Sequence, residues 1–371
     1  MTMKIVLAGG GTAGHINPAL AIAQAVKAAH PTAQILFVGN KNSLEETLVK
    51  RAGFDIRFIK IQGLNRRQLH KNVTTVKLFL KAIKDAKAIL TEFAPDVVVG
   101  TGGYVSGPVL FAASKMGLHT CIHEQNAFPG LTSKMLSRRV EKVFISFENS
   151  AKYFKTKNKL ILTGNPLRQE FFALDRAQSR KELGLSEKDF YVLSFGGSLG
   201  ARVLNEAMLG VFEKNKEYHQ FVHCHAMGRL GNGWMPERLK EKGIEVGAEN
   251  GEFRIYDYIH DMPRQIAAAD AVIARAGAIT IGELLAQGKA AVLIPSPNVT
   301  HNHQYHNALA LVEKNAALMI EEKDLSVDKL YDTLLSLKKD GTLRTALSET
   351  AKNMALSDAA TVIAKHIDQM I

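Results

Sequence analysis

No stretch of this 371-residue chain comes near the ~18 consecutive apolar residues that a bilayer-crossing helix needs. Met1 to Gly10 holds one lysine and a short apolar run leading straight into glycines, too short for a secretory leader. Only two cysteines occur, Cys121 and Cys224, in different halves and both in strand-like apolar runs. That pattern argues against a disulfide framework and suits a reducing cytosol. Low-complexity tracts and short-period repeats are also missing. So is any Asp-x-Asp, the carboxylate pair that usually holds Mg²⁺ or Mn²⁺ on a diphosphate.

What is present is an ordinary folded composition, 46% hydrophobic and 22% charged, long enough for two domains of roughly 150–200 residues. Charge is uneven. Residues 1–167 carry 23 Lys and Arg against 9 Asp and Glu, and the remainder carries 24 against 27, so +14 sits in the first part and −3 in the second. The first part therefore suits a polyanion or an anionic membrane face. It lacks the aromatic stacking motifs of an RNA-binding module, which counts against nucleic acid.

Short β-branched runs alternate with helix-like stretches. Strands are predicted at 4–8, 34–38, 56–61, 96–100, 119–123, 142–146 and 160–163, then at 190–195, 220–225, 253–256, 271–274, 290–294 and 317–320. The alternation predicts an α/β fold with parallel sheets covered by helices on both faces. Gly164-Asn165-Pro166-Leu167 interrupts both patterns and marks a boundary, giving domains 1–165 and 166–355. Segments 341–355 and 358–370 read as helices, and a terminal helix at about 356–371 is expected to pack back on the first domain.

Two strands run into glycine-rich turns and then helices: Gly9-Gly10-Gly11-Thr12-Ala13-Gly14-His15 and Gly196-Gly197-Ser198-Leu199-Gly200-Ala201-Arg202. Each turn should present unpaired amides and a helix dipole to an anion. Gly9-x-Gly11-x-x-Gly14 satisfies the dinucleotide fingerprint. The second strand, however, ends in Gly39-Asn40-Lys41 without the carboxylate that a nicotinamide ribose wants, which counts against an oxidoreductase. His15 stands where an imidazole can accept a proton from a hydroxyl, or merely position the loop. Ser198 adds a hydroxyl to the second turn. Glu283 lies about a turn and a half into the helix after Ala274-Arg275-Ala276-Gly277-Ala278, placed for a ribose diol or for the dipole alone. The groups His301/His303/His306 and His219/His223/His225 lack carboxylate or cysteine partners at metal-ligand spacing, apart from Cys224, which points to the opposite strand face from its neighbours, so no metal is expected.

Taken in order and spacing, six segments resemble the MurG family. They are Gly10-Gly11-Thr12-Ala13-Gly14-His15, His123-Glu124-Gln125-Asn126, Gly164-Asn165-Pro166-Leu167-Arg168, Gly196-Gly197-Ser198-Leu199-Gly200-Ala201, Arg275-Ala276-Gly277-Ala278-Ile279-Thr280 and His303-Gln304-Tyr305-His306-Asn307-Ala308. The resemblance implies a GT-B architecture, two Rossmann-like domains with a ligand cleft between them. It implies a transferase moving GlcNAc from UDP-GlcNAc to lipid I, making lipid II for the cell wall. UDP-GlcNAc would bind mainly on the second domain and the undecaprenyl-diphosphate acceptor on the first. Thr12, Ala13 and Gly14 would meet the substrates near the diphosphate, and Asn126 the sugar. Arg168 and Ser198 would meet the diphosphate, the Ile259 backbone the uracil, Glu283 the ribose and Gln304 the GlcNAc hydroxyls. Departures are mild: Ala13 where Gly is frequent, Leu199 where Gln is common, and Gly282 where Ser often precedes the Glu.

The implied reaction is an inverting displacement by the C4 hydroxyl of the muramoyl sugar, with no metal and no cofactor. His15 is the candidate base and Glu124 its rival. Lys60, Arg66, Arg67, Lys71, Lys77, Lys81, Lys84 and Lys87, with Val76, Phe79, Leu80 and Ile83 at helical spacing, read as a basic amphipathic helix. It would rest on anionic inner-leaflet lipid, or else turn that stripe to the core. The expected location is the cytoplasmic side of the cell membrane, peripherally, with other cell-wall enzymes as partners. A different UDP-sugar enzyme of the same architecture, such as a glycolipid glycosyltransferase or an epimerase, is the nearest alternative.

Overall fold

All thirteen predicted strands form in the computed structural model, which describes residues 2–63, 72–246, 251–356 and 358–371. They build two all-parallel sheets. In chain order the first holds β1 (Lys4–Gly9), β2 (Gln34–Gly39), β3 (Asp55–Phe58), β4 (Val97–Gly102), β5 (His119–Glu124), β6 (Lys142–Ile145) and β7 (Leu160–Leu162). The second holds β8 (Tyr191–Phe195), β9 (Val222–Ala226), β10 (Phe253–Tyr256), β11 (Ala271–Ala274), β12 (Ala291–Leu293) and β13 (Leu318–Met319). The chain divides into one unit of Met1–Arg168 with Leu356–Ile371, and a second of Gln169–Ala355.

In the first sheet the order is β3-β2-β1-β4-β5-β6-β7. Side chains alternate across it with the period of two that a strand imposes. Val6, Ala8 and Val98 pack under the helices Asn72–Phe93 and Gly103–Lys115. Ile5, Leu7, Val97 and Val99 face the opposite side, against Ala13–Ala29. That second face is completed by the terminal helix Ala359–Asp368, through Ile363, Ala364 and Ile367, with His30 Nε2 2.9 Å from Asp368 Oδ1. The run predicted as strand 56–61 leaves the ladder after Phe58. Asn40 takes over there: its amide donates to Ile61 O (2.8 Å) and its carbonyl accepts from Ile61 N (3.1 Å).

The second sheet runs β10-β9-β8-β11-β12-β13. Val192, Ile255, Ile273 and Val292 are buried with Leu204, Met208 and Phe212 of helix Arg202–Tyr218 and Leu330 and Leu334 of Val327–Lys339. The helix Gly341–Met354 packs within this unit. In both sheets the strand order reverses beside the strand carrying the glycine turn, β1 and β8, where open α/β sheets place their ligands. No helix among the described residues is long and apolar enough to cross a membrane.

Candidate active site

In the first unit the carboxyl ends of β1, β4 and β5 gather Thr12, Ala13, Gly14, His15, Glu124 and Asn126. Gly9 pairs with Gly102 across β1 and β4, so two glycine turns meet. Gly103 has φ +76°, and a Cβ on it would fall 2.1 Å from Gly10 O, so no side chain is tolerated there. Helix Ala13–Ala29 starts here with Thr12 as its N-cap residue, and the Thr12 hydroxyl makes no capping bond. Thr12 O takes the amides of His15 and Ile16, which leaves those of Ala13 and Gly14 ahead of the helical ladder, as an anion site requires.

One expectation needs correction. The Gly11 amide is not open to a ligand, because it donates to Glu45 Oε2 at 3.3 Å. Glu45 opens the helix Leu44–Arg51, is buried, and takes the Asn40 amide on its other oxygen at 3.2 Å. An internal carboxylate thus already engages one amide of the turn.

His15 Nδ1 lies 3.2 Å from Thr101 O and 3.0 Å from Gln125 Oε1. Both partners only accept, so Nδ1 carries the hydrogen, and in the neutral ring Nε2 carries the lone pair. Thr101 Oγ1 also donates to His15 O at 2.7 Å. Gly102 has φ +98°, and a Cβ there would fall 2.7 Å from His15 Nδ1, so this glycine makes room for the ring.

Glu124 is differently occupied. It is 2% exposed, and its carboxylate accepts from Asn126 N (3.0 Å), Asn126 Nδ2 (3.1 Å) and Gly130 N (3.0 Å). It braces the loop that holds Asn126. His123, fully buried, is held neutral: burial pushes its pKa down to about 4. Arg168 is exposed and ends the first unit.

In the second unit Ser198, Ile259, Glu283 and Gln304 all follow the carboxyl ends of strands, β8, β10, β11 and β12 in turn. The turn of Gly197 and Ser198 closes by Gly200 N donating to Gly197 O at 2.9 Å. Gly200 is crossed by Gly228, φ +72°, whose Cβ would fall 2.1 Å from Gly200 N. Ser198 is exposed, ahead of helix Arg202–Tyr218. Gln304 Oε1 accepts from Ser296 N at 2.9 Å, which leaves its amide nitrogen as the end able to donate. The approach to it is strained: His301 and Asn302 hold φ of 53° and 50°. Ile259 is buried and Glu283 half-buried. Arg275 ties the rim together, donating to Ile294 O (3.1 Å) and pairing with Glu322 (2.6 Å).

The histidines considered for metal separate. His219 lies 2.9 Å from Glu252, whereas buried His223 and His225 share the Ser194 hydroxyl at 2.8 and 2.7 Å. Among the described residues no cluster of three metal-ligating side chains is found. The basic helix divides its apolar stripe. Phe79 and Ile83 pack into the core, while Val76 and Leu80 are 56% and 63% exposed beside exposed Lys77, Lys81, Lys84 and Lys87. Arg66, Arg67 and Lys71 lie outside the described residues.

The glycosyltransferase family 28 N-terminal domain matches residues 5–145 and its C-terminal domain residues 191–366. A protein of Acetivibrio thermocellus, named UDP-N-acetylglucosamine--N-acetylmuramyl-(pentapeptide) pyrophosphoryl-undecaprenol N-acetylglucosamine transferase, is 43% identical over 96% of this chain and 95% of its own. The chain belongs to the MurG family. A Bacillus cytotoxicus protein of the same name is 40% identical over the full length of both. The crystal structure of MurG from Acinetobacter baumannii superposes with a TM-score of 0.78 at 26% identity, covering 99% of each chain. A UDP-bound S. aureus MnaA structure, at 13% identity and a TM-score of 0.69, shares the fold alone. Two residues that hold the site together carry no signal of their own in the sequence: Glu45, which no local pattern flags, and Gln125, which lies within the His123-Glu124-Gln125-Asn126 segment.

Proposed function

We propose that this enzyme is an inverting N-acetylglucosaminyltransferase that moves GlcNAc from UDP-GlcNAc to the C4 hydroxyl of the muramoyl sugar of lipid I, making lipid II. The substrate identity rests on the full-length likeness to transferases of that name. Within the molecule, the supporting observation is His15, whose Nδ1 faces two acceptors and leaves Nε2 as the basic nitrogen. In the proposed step the acceptor hydroxyl attacks C1 of the donor sugar and its proton passes to His15 Nε2. The C1–O bond to UDP breaks, and negative charge builds on the departing diphosphate. Ala13 and Gly14 amides, Thr12, the Ser198 turn and Arg168 would hold that charge more tightly in the transition state than before it. Glu283 would meet the ribose, the Ile259 backbone the uracil, and Asn126 and Gln304 the sugar. Glu124, with both oxygens engaged, supports the loop rather than taking the proton.

The absence of Asp-x-Asp in the chain supports a reaction without a divalent cation. The exposed Val76 and Leu80 among lysines support a shallow, peripheral seat of the first unit on anionic lipid at the cytoplasmic face, where other cell-wall enzymes would be met. The decisive assay follows UDP release and product linkage with UDP-GlcNAc and a short-chain lipid I analogue, with and without EDTA. A β1→4 product formed at equal rates in both is expected. Turnover lost on chelation would overturn the metal-free step, and no product at all would overturn the substrate assignment.

A further inference from the structure

Behind His15 lies a run of buried polar groups whose orientation follows from one main-chain carbonyl. Gln125 is 2% exposed, and its side-chain nitrogen lies 2.8 Å from Thr101 O. A carbonyl oxygen cannot donate, so the amide end facing it must be NH₂. The other end, Oε1, is therefore the oxygen 3.0 Å from His15 Nδ1, and it requires a hydrogen on that nitrogen. The second Gln125 N–H points to His123 Nδ1 at 2.9 Å. His123 then keeps its lone pair on Nδ1 and donates from Nε2 to Gly164 O at 2.9 Å. Ser146 Oγ, 3.2 Å from the same Nε2, donates on to Asn165 Oδ1 at 2.8 Å. Every donor and acceptor of the Gln125 amide is thus engaged, in a place where water cannot substitute.

We propose that Gln125 is the positioning residue for His15: held by Thr101 O and neutral His123, it fixes the Nδ1–H tautomer and keeps Nε2 as the proton-accepting nitrogen. The proposal rests on the reading of His15 as the base. Thr101 O shares the same nitrogen, so loss of Gln125 loosens the ring without freeing it. The expected cost is accordingly below the ~10²–10⁴ of removing a positioned base.

The first measurement needs no variant of Gln125. In ¹⁵N-histidine-labelled protein, the His15 imidazole, assigned by its loss in His15→Gln, should show Nδ1 protonated and Nε2 bare. The opposite tautomer overturns the proposal. The second is a double-mutant cycle with Gln125→Met and His15→Ala, reading kcat and the KM for UDP-GlcNAc separately, with thermal unfolding alongside. Gln125→Met should lower kcat about 10- to 100-fold with KM unchanged and mix the His15 tautomers. In the His15→Ala background the same change should cost nothing further, because Gln125 acts through the ring. Additive losses, or unchanged kcat in Gln125→Met, would refute the role of Gln125. Full turnover in His15→Ala would instead remove the base assignment on which it depends.

Discussion

The two glycine turns stand at equivalent places in their sheets, yet they are furnished for different work. Each is locked by a second glycine crossing it, Gly103 over Gly10 in the first unit and Gly228 over Gly200 in the second. The crossing loop comes from β4, on the β11-like side, in one case and from β9, on the opposite side, in the other. The first turn already holds an anion of its own, Glu45, and opens its helix with an imidazole. The second offers an exposed serine and a bare helix start. In the proposed reaction one device would serve proton transfer and the other would hold charge, a division that a shared glycine pattern alone would never reveal.

The sharpest way to break that comparison is to strip each turn of its side chain. His15→Ala should lower kcat by ~10²–10⁴. Ser198→Ala removes one donor to an anion and should cost roughly 10- to 100-fold, as expected for ~1.5–3 kcal/mol. Steady-state kinetics with both substrates checks this, and equal losses would erase the distinction.

Acid should separate the units next. His225 is pushed by burial down to about 3, His223 well below its usual value, and His123 in the first unit to about 4. Each binds a proton more readily unfolded, near pH 6.5, than folded. Their neutral burial is therefore fully tolerated above that pH, and stability falls as pH drops from about 6.5 toward 4 and below. The expected slope is about 1 kcal/mol per pH unit for each ring. With two such rings in the second unit against one in the first, unfolding followed between pH 7 and 4.5 should show the second unit yielding more steeply. His225→Phe should flatten that slope, whatever it does to absolute stability.

A smaller effect tests the internal anion. Glu45→Ala removes the acceptor of the Gly11 and Asn40 amides and should destabilise the first unit by about 2 kcal/mol. Among the described residues no carboxylate caps the second turn in this way, so the proposed UDP binding there should be unchanged in Glu45→Ala by UDP titration. Smallest of all is the surface contrast. Lys81→Gln should weaken co-sedimentation with anionic vesicles by about 1 kcal/mol, and added salt should weaken it further. Binding insensitive to salt would show that charge is not what holds the first unit to lipid.

Much of this was legible in the chain. Strands such as 4–8 and 190–195 announce themselves because strands of a parallel sheet buried on both faces are near-continuous apolar runs. The glycine turns are equally plain, since few residues other than glycine adopt φ near +75° or let backbones cross at such range. Glu45 was invisible because its partner, Gly11, lies 34 residues away and the bond depends on β2 lying beside β1. The same holds for Gln125, whose value lies in Thr101 on the neighbouring strand. The stripe at Val76, Phe79, Leu80 and Ile83 could not be assigned by spacing, because helical periodicity finds a face without saying what covers it; two of the four turned inward.

The terminal helix bears on how the protein is made. Ile363, Ala364 and Ile367 complete a core begun by Ile5 and Leu7, so the unit synthesised first cannot close until the ribosome has released residues near 370. The second unit, continuous from Gln169 to Ala355, faces no such wait. Until that release one apolar face of the basic half is covered only in part, chiefly by helix Ala13–Ala29, and a chain cut after residue 355 would leave it so.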